Sequence, residues 1–121
     1  MIDVLAKLAI AVVTGLHVLF LVLEMFLWRK PAGRKVFRTT AEFADASAAL
    51  AANQGLYNGF LAAGLVWGLA GGGFAVQAFF LGCVIVAGLF GAATASRSIL
   101  VVQAVPGAVA LALAWLAHAH G

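Results

Sequence analysis

Four long apolar runs joined by short connections account for almost the whole of the 121-residue chain. A run of roughly twenty apolar residues is long enough to cross the hydrocarbon core of a bilayer as a helix. The runs lack the period-two alternation of transmembrane barrel strands. Hydrophobic residues make up 65% of the chain and charged residues 9%, whereas soluble domains have about 25% charged residues. The sequence therefore predicts an all-α integral membrane protein.

The connections divide the chain into four predicted spans of a single transmembrane domain, residues 1–121. We expect helices at about residues 4–28, 40–70, 74–95 and 99–117. Pro31 and Gly33 are expected to break the helix after the first span. A Thr-Thr-Ala-Glu capping box at residues 39–42 begins the second span, and the glycines at 71–73 end it. Because short connections make consecutive helices antiparallel, the predicted architecture is an up-down four-helix bundle.

Basic side chains are concentrated on one predicted side of the membrane. Only Lys7 lies opposite the others, which are Arg29, Lys30, Arg34, Lys35, Arg38 and Arg97. Positive charge favours the cytoplasmic side, so both termini are expected on the non-cytoplasmic side. Beside a membrane span, such charge indicates contact with anionic headgroups. We therefore expect membrane lipids, and no nucleic acid, as partners.

The strongest functional signal is a pair of ionisable residues within the first span. A charged side chain inside a membrane costs about 2.5–3.5 kcal/mol on insertion scales and normally faces a bundle interior or a wet cavity. His17 and Glu24 fall on one face of the helix at 100° per residue, together with Thr14. His17 lies about 10 Å deeper than Glu24. Water, substrate, Tyr57 or Asn58 would have to bridge the two.

Amide side chains on two further spans lie at about the depth of Glu24. Asn53 on the second span and Gln103 on the fourth are each about one turn inside the basic side of the membrane. The complete candidate ligand-binding set is Glu24, His17, Asn53, Gln54, Tyr57, Asn58 and Gln103. Two alternatives stay open. The amides can act as hydrogen bonds between helices, and Glu24 can extend toward the headgroups or pair with a basic loop residue.

The sequence offers no motif for common cofactor or hydrolytic chemistry. It contains no phosphate-binding loop and none of the motifs CxxC, HExxH and GxSxG. Cys83 is the single cysteine, and His118 and His120 have no evident third ligand. We therefore predict no metal and no cofactor, and we assign no catalytic residue.

Glycine and proline predict local packing in the second and fourth spans. The pairs Gly55/Gly59 and Gly64/Gly68 have the small-xxx-small spacing that permits close approach of membrane helices. Pro106 is expected to kink the fourth span near Gln103.

Three segments carry a family resemblance: LEMFLW at residues 23–28, GRKVF at 33–37 and AANQGLYNGF at 51–60. With these segments the chain resembles the small bacterial inner-membrane proteins catalogued as domain of unknown function thirteen-oh-four. The resemblance covers essentially the whole chain, including the region of Gln103. It implies a four-span bacterial membrane protein and supplies no activity, cofactor or site residue.

Three functional hypotheses follow. In the first, the bundle binds or transports a small ligand or cation, with Glu24 as the coupling carboxylate. Four short helices enclose little volume, so a pathway would require a homo-oligomer. In the second, a membrane-embedded enzyme acts on a lipid or isoprenoid, with His17 and Glu24 as acid and base. In the third, the chain is a structural or partner-binding subunit whose polar residues fasten helices together.

Overall fold

The computed structural model describes residues 1–121 and is all-α, as predicted. Its α-helices are α1 (Ile2–Met25), α2 (Pro31–Phe37), α3 (Ala41–Trp67), α4 (Gly73–Thr94) and α5 (Val105–Ala119). The structure contains no β-strand and no cis peptide bond. The predicted all-α bundle is therefore confirmed.

Three helical segments are long and apolar enough to cross a membrane. They are Ile2–Met25, Ala41–Thr94 and Leu100–Ala119. The second is 54 residues long and contains α3 and α4, with a break in helical geometry at Gly71, where φ is 138°. Gly73 also has a positive φ, 79°. Only glycine adopts such angles readily, so the connection lies at the glycines that the sequence indicated.

Helix α1 ends three residues earlier than predicted, at Met25. The N–H groups of Phe26 and Leu27 both donate to the carbonyl of Val22, at 3.0 and 3.1 Å. This wide turn closes the helix while the sequence is still apolar. Hydropathy alone cannot detect such an end, because Phe26 and Leu27 suit a span as well as a turn.

The connection after α1 contains a short helix, α2, where the sequence predicted only a break. Pro31 occupies its first turn, a position at which the missing N–H would have no helical partner anyway. Gly33 is buried, and a Cβ there would overlap the carbonyl oxygen of Leu27. The helix ends at Arg38, whose φ of 56° is left-handed. Pro31 and Gly33 therefore start and pack a helix, and do not interrupt one.

The start of α3 is capped one residue later than the predicted box. The hydroxyl of Thr40 accepts a hydrogen bond from the N–H of Phe43 at 3.1 Å. In a capping box, the side chain of a glutamate three residues after the cap accepts a hydrogen bond from the N–H of the capping residue. Phe43 occupies that position after Thr40, so this second hydrogen bond cannot form. Glu42 lies instead in the first turn, where its charge favours the helix N-terminus.

The chain divides into two compact units. The first consists of Met1–Leu16 and Leu61–Gly121, and the second of His17–Phe60. The first unit has an apolar core formed by Ile10, Val13, Leu65, Leu81, Val84, Ala110 and Ala114. In this unit α4 packs against α5.

Regular α geometry gives way to a π-helical segment, Leu100–Ala104, before α5. Pro106 follows in the first turn of α5. Such wide turns are usual where the α-helical hydrogen-bond ladder is disturbed, so the irregularity expected at Pro106 takes this form. Within the segment, Gln103 donates its side-chain amide to the carbonyl of Val84 at 3.0 Å.

Candidate functional site

Glu24 lies half-buried in the last turn of α1 and meets a single amide from α3. The side chain of Asn58 donates from Nδ2 to Oε1 of Glu24 at 2.6 Å. Hydrogen bonds to a carboxylate are shorter and stronger than those between neutral groups. This contact fixes the direction of the Glu24 side chain, which turns toward α3.

Glycine on α3 makes this contact possible. A Cβ at Gly55 would lie 3.2 Å from the Cβ of Glu24 and 3.2 Å from the carbonyl oxygen of Leu21. One turn further, a Cβ at Gly59 would lie 2.7 Å from Cδ1 of Leu21. At Gly55 a backbone atom limits the space, whereas at Gly59 the neighbour is the end of a leucine side chain. The close helix approach predicted from the Gly55/Gly59 spacing is therefore confirmed.

A cleft of about 360 Å³ is lined in part by Glu24. It lies wholly within the second unit and is lined by Glu24, Met25, Phe26, Trp28, Arg29, Lys30, Ala48, Ala49 and Ala52. The lining combines apolar and aromatic side chains with two basic residues and with three alanines of α3. Glu24 supplies the acidic group of this lining.

Trp28 is held at two points at the edge of the cleft. Its Nε1 donates to the hydroxyl of Ser47 at 3.1 Å, and its ring packs against Phe37 with centroids 4.8 Å apart. Ser47 in turn donates to the carbonyl of Phe43 at 2.6 Å. A tryptophan fixed at both its ring and its N–H presents a preformed aromatic surface.

Glu24 forms no ion pair, and the basic residues Arg29 and Lys30 line the same cleft. The two ion pairs of the chain are Lys7–Asp3 at 2.9 Å and Arg29–Asp45 at 3.9 Å, so Glu24 is in neither. Glu24 also lies at the carboxyl end of α1, where the helix dipole and the last carbonyl groups add negative potential. The ion pair with a basic loop residue that the sequence left open is not formed.

His17 occupies a different environment from Glu24. Its side chain is fully buried and meets Phe20 edge to face, with ring centroids 5.2 Å apart. The residues that line the Glu24 cleft do not include it. The structure therefore places His17 in packed surroundings, and its predicted role in ligand binding stays a prediction.

The remaining predicted residues are spread over other surfaces. Asn53, Gln54 and Tyr57 are exposed on α3, and the ring of Tyr57 contacts Phe60. Gln103 belongs to the first unit, in which it binds the carbonyl of Val84. Of the seven predicted residues, the structure brings Glu24 and Asn58 into direct contact. The ligand-binding roles of the others stay predictions.

Several residues of the cleft are not among those selected from the sequence, notably Trp28 and the alanines of α3. The alanines at 48 and 52 are four residues apart and therefore share a helix face. That spacing is a usable signal of a helix face made of small residues beside Glu24. The partner of the Trp28 indole N–H, Ser47, is nineteen residues away along the chain, and no local pattern indicates it.

The length and apolarity of the three long helical segments indicate a helical membrane protein. A sequence model of the family described as "Protein of unknown function (DUF1304)" matches residues 11–115. The chain belongs to that family, and the resemblance drawn from its three segments is confirmed. Comparison with curated proteins and with solved structures gave no match. The matched residues include the complete lining of the Glu24 cleft.

Proposed function

We propose that this membrane protein binds a small cation with apolar or aromatic substituents in the Glu24 cleft. The observation that carries the proposal is the 2.6 Å hydrogen bond from Asn58 to Oε1 of Glu24. The bond orients the carboxylate and engages one of its two oxygens. A carboxylate accepts at about four lone-pair positions, so the group retains capacity for a ligand while its direction is fixed.

The size of the cleft, its carboxylate and its aromatic rings support this ligand class. A volume of about 360 Å³ is at the small end of the range for ligand pockets. Phe26 and Trp28 supply aromatic surface, and an aromatic face attracts a cation within about 6 Å of the ring centroid. Arg29 and Lys30 are exposed, and Arg29 is engaged by Asp45. The Glu24 carboxylate, the aromatic rings and the carboxyl end of α1 are the groups of the cleft that would attract a positive ligand.

Transport is an extension of the same proposal. A carboxylate that holds a proton and a cation in alternation couples the movement of one to that of the other. Four short helices offer little enclosed volume, so a pathway would involve a homo-oligomer. We place this activity in a bacterial inner membrane, with lipids as the surrounding partner. A carboxylate on a membrane span, a costly position for a charged group, supports this extension.

The enzyme hypothesis receives less support. Acid–base chemistry by His17 and Glu24 would require both groups to reach one substrate. The cleft is lined by Glu24 and not by His17, and His17 is fully buried. Binding at Glu24 needs no second catalytic group, so we favour it over chemistry on a lipid.

Binding of the lipophilic cation tetraphenylphosphonium tests the proposal. Protein in nanodiscs is titrated with the cation by equilibrium dialysis, and Glu24→Gln is compared with the unaltered chain. We expect Glu24→Gln to weaken binding about tenfold or more, because an interaction with a charged group contributes about 1.5–3 kcal/mol.

The matched control is Glu42→Gln, which removes the other glutamate of the chain. Glu42 is exposed in the first turn of α3, so its replacement should leave binding unchanged. Equal affinities for Glu24→Gln and the unaltered protein would remove Glu24 from the proposed site.

The proposed orientation gives a separate prediction. Six of the seven basic Lys and Arg residues should face the cytoplasm, with both termini opposite. A cysteine introduced at Gly121 in a Cys83→Ala background should therefore react with a membrane-impermeant maleimide from the non-cytoplasmic side, and one introduced at Lys35 should not. The reverse labelling pattern would contradict the orientation.

A further inference from the structure

Helix α3 presents a continuous exposed stripe on the surface of the chain. Its members are spaced by three or four residues, and all are exposed: Phe43, Ala46, Leu50, Asn53, Tyr57 and Phe60. Leu50 is 72% exposed, and Phe43, Tyr57 and Phe60 are each more than half exposed. We call this set the outer stripe. Alternating spacings of three and four residues are typical of the contact line between two packed helices.

Polar groups lie at the centre of this exposed surface. Asn53 belongs to the outer stripe and Gln54 adjoins it, and the two are at the midpoint of α3, which runs from Ala41 to Trp67. Neither side chain makes a hydrogen bond within the chain. Lipid tails supply neither donors nor acceptors, so polar groups within a membrane span normally find a partner in protein. The outer stripe therefore needs a covering surface that can hydrogen-bond.

We propose that the outer stripe packs against the same stripe of a second copy of this chain. A primary amide carries both donors and an acceptor, so Asn53 can pair with Asn53 across a two-fold axis, where like residues meet. A single asparagine in a helix seam is a known device for fixing partner and register. The outer stripe is complementary to itself, and a partner of different chemistry would have to supply a matching amide at the same depth.

The length of the outer stripe is sufficient for such a pairing. From Phe43 to Phe60 it extends about 26 Å at 1.5 Å per residue. Its large apolar members flank the amide on both sides. Packing and hydrogen bonding would therefore act together along the stripe, as association of membrane helices requires.

This interface does not include the Glu24–Asn58 contact, although Ala49 of the cleft lining lies four residues from Asn53, on the same side of α3. Asn53 and Asn58 are five residues apart, which places them about 140° apart around the helix. Asn58 meets Glu24, so Asn53 points to another side of α3. The dimer is therefore inferred independently of any ligand.

Cysteine cross-linking in native membranes tests the pairing. In a Cys83→Ala background, single cysteines replace Asn53 or Tyr57 on the outer stripe, or Val86 on α4. Val86 is 69% exposed and reports chance collisions. We expect copper-phenanthroline oxidation to give at least about tenfold more disulfide-linked dimer from the outer stripe than from Val86. Equal yields, or linkage to a different protein in place of dimer, would overturn the proposal.

A second measurement separates pairing from folding. Energy transfer between labelled copies in detergent measures self-association. The measurement is made on the intact chain and on the variants Asn53→Leu and Asn53→Gln. Loss of one interhelical hydrogen bond should weaken association roughly three- to twenty-fold in Asn53→Leu. Asn53→Gln retains donor and acceptor and should associate within about threefold of the intact chain. Unchanged association of a folded Asn53→Leu protein would contradict an amide-based seam.

Discussion

Replacing Gly33 by alanine should destabilise the protein by about 3 kcal/mol, at the upper end of the range for overpacking. The added Cβ would overlap the carbonyl oxygen of Leu27 and lie 3.1 Å from the α-carbon of Trp28. Both obstacles are backbone atoms, which cannot swing aside as a side chain can. Helix α2 would have to move off the end of α1, together with the Trp28 that lines the cleft. Reversible unfolding in mixed detergent micelles measures the loss.

Gly15→Ala is the matched control for this substitution. Gly15 lies within α1, and no atom beyond its own neighbourhood comes within 4 Å of a Cβ placed there. Alanine is favoured over glycine inside a helix by up to about 1 kcal/mol, so this variant should be as stable as the unaltered protein or more so. Equal stability of the Gly33→Ala and Gly15→Ala variants would contradict the packing of α2 against Leu27.

Replacing Asn58 by aspartate should have the second large effect, about 2 kcal/mol or more of lost stability. The change puts a carboxylate oxygen where the amide nitrogen lies, 2.6 Å from Oε1 of Glu24. Two carboxylates at that separation repel each other in a half-buried environment, and the donor is lost as well. Unfolding of the single variant measures the penalty.

The double variant Glu24→Gln with Asn58→Asp should recover most of this loss. The amide and the carboxylate then exchange sides, and the new glutamine on α1 can donate to the new aspartate on α3. We expect a favourable coupling of about 1–3 kcal/mol, as found for residues in direct contact. The control pairs Glu24→Gln with Asn53→Asp, for which no coupling is expected. Equal coupling in both pairs would show that the effect reflects charge alone and not the contact.

The spans can be predicted from the sequence because they depend on length and apolarity. The end of α1 cannot, because it is set by the hydrogen bonds of Phe26 and Leu27 to Val22. Helix α2 is not predicted when Pro31 is interpreted as a helix break. In the structure Pro31 stands in the first turn, where proline is compatible with a helix.

The candidate site is predictable in part. Glu24 stands out because a carboxylate on a membrane span is expensive, and that argument needs no coordinates. Depth in the membrane, taken alone, places Glu24 at the level of Asn53. The partner is Asn58, on the side of α3 marked by Gly55 and the buried Ala51. Position around the helix, and not depth alone, decides which amide a carboxylate meets.

The inward direction of the Glu24 side chain is the claim on which the proposed site depends. The chain has two glutamates, Glu24 and Glu42, and two asparagines, Asn53 and Asn58. Solid-state NMR of protein in bilayers, with ¹³C in the glutamate carboxyl groups and ¹⁵N in the asparagine amides, can therefore measure their contact directly. The account predicts one carbon–nitrogen pair closer than about 4 Å, abolished by Asn58→Leu and retained in Asn53→Leu. Absence of any such pair would contradict it.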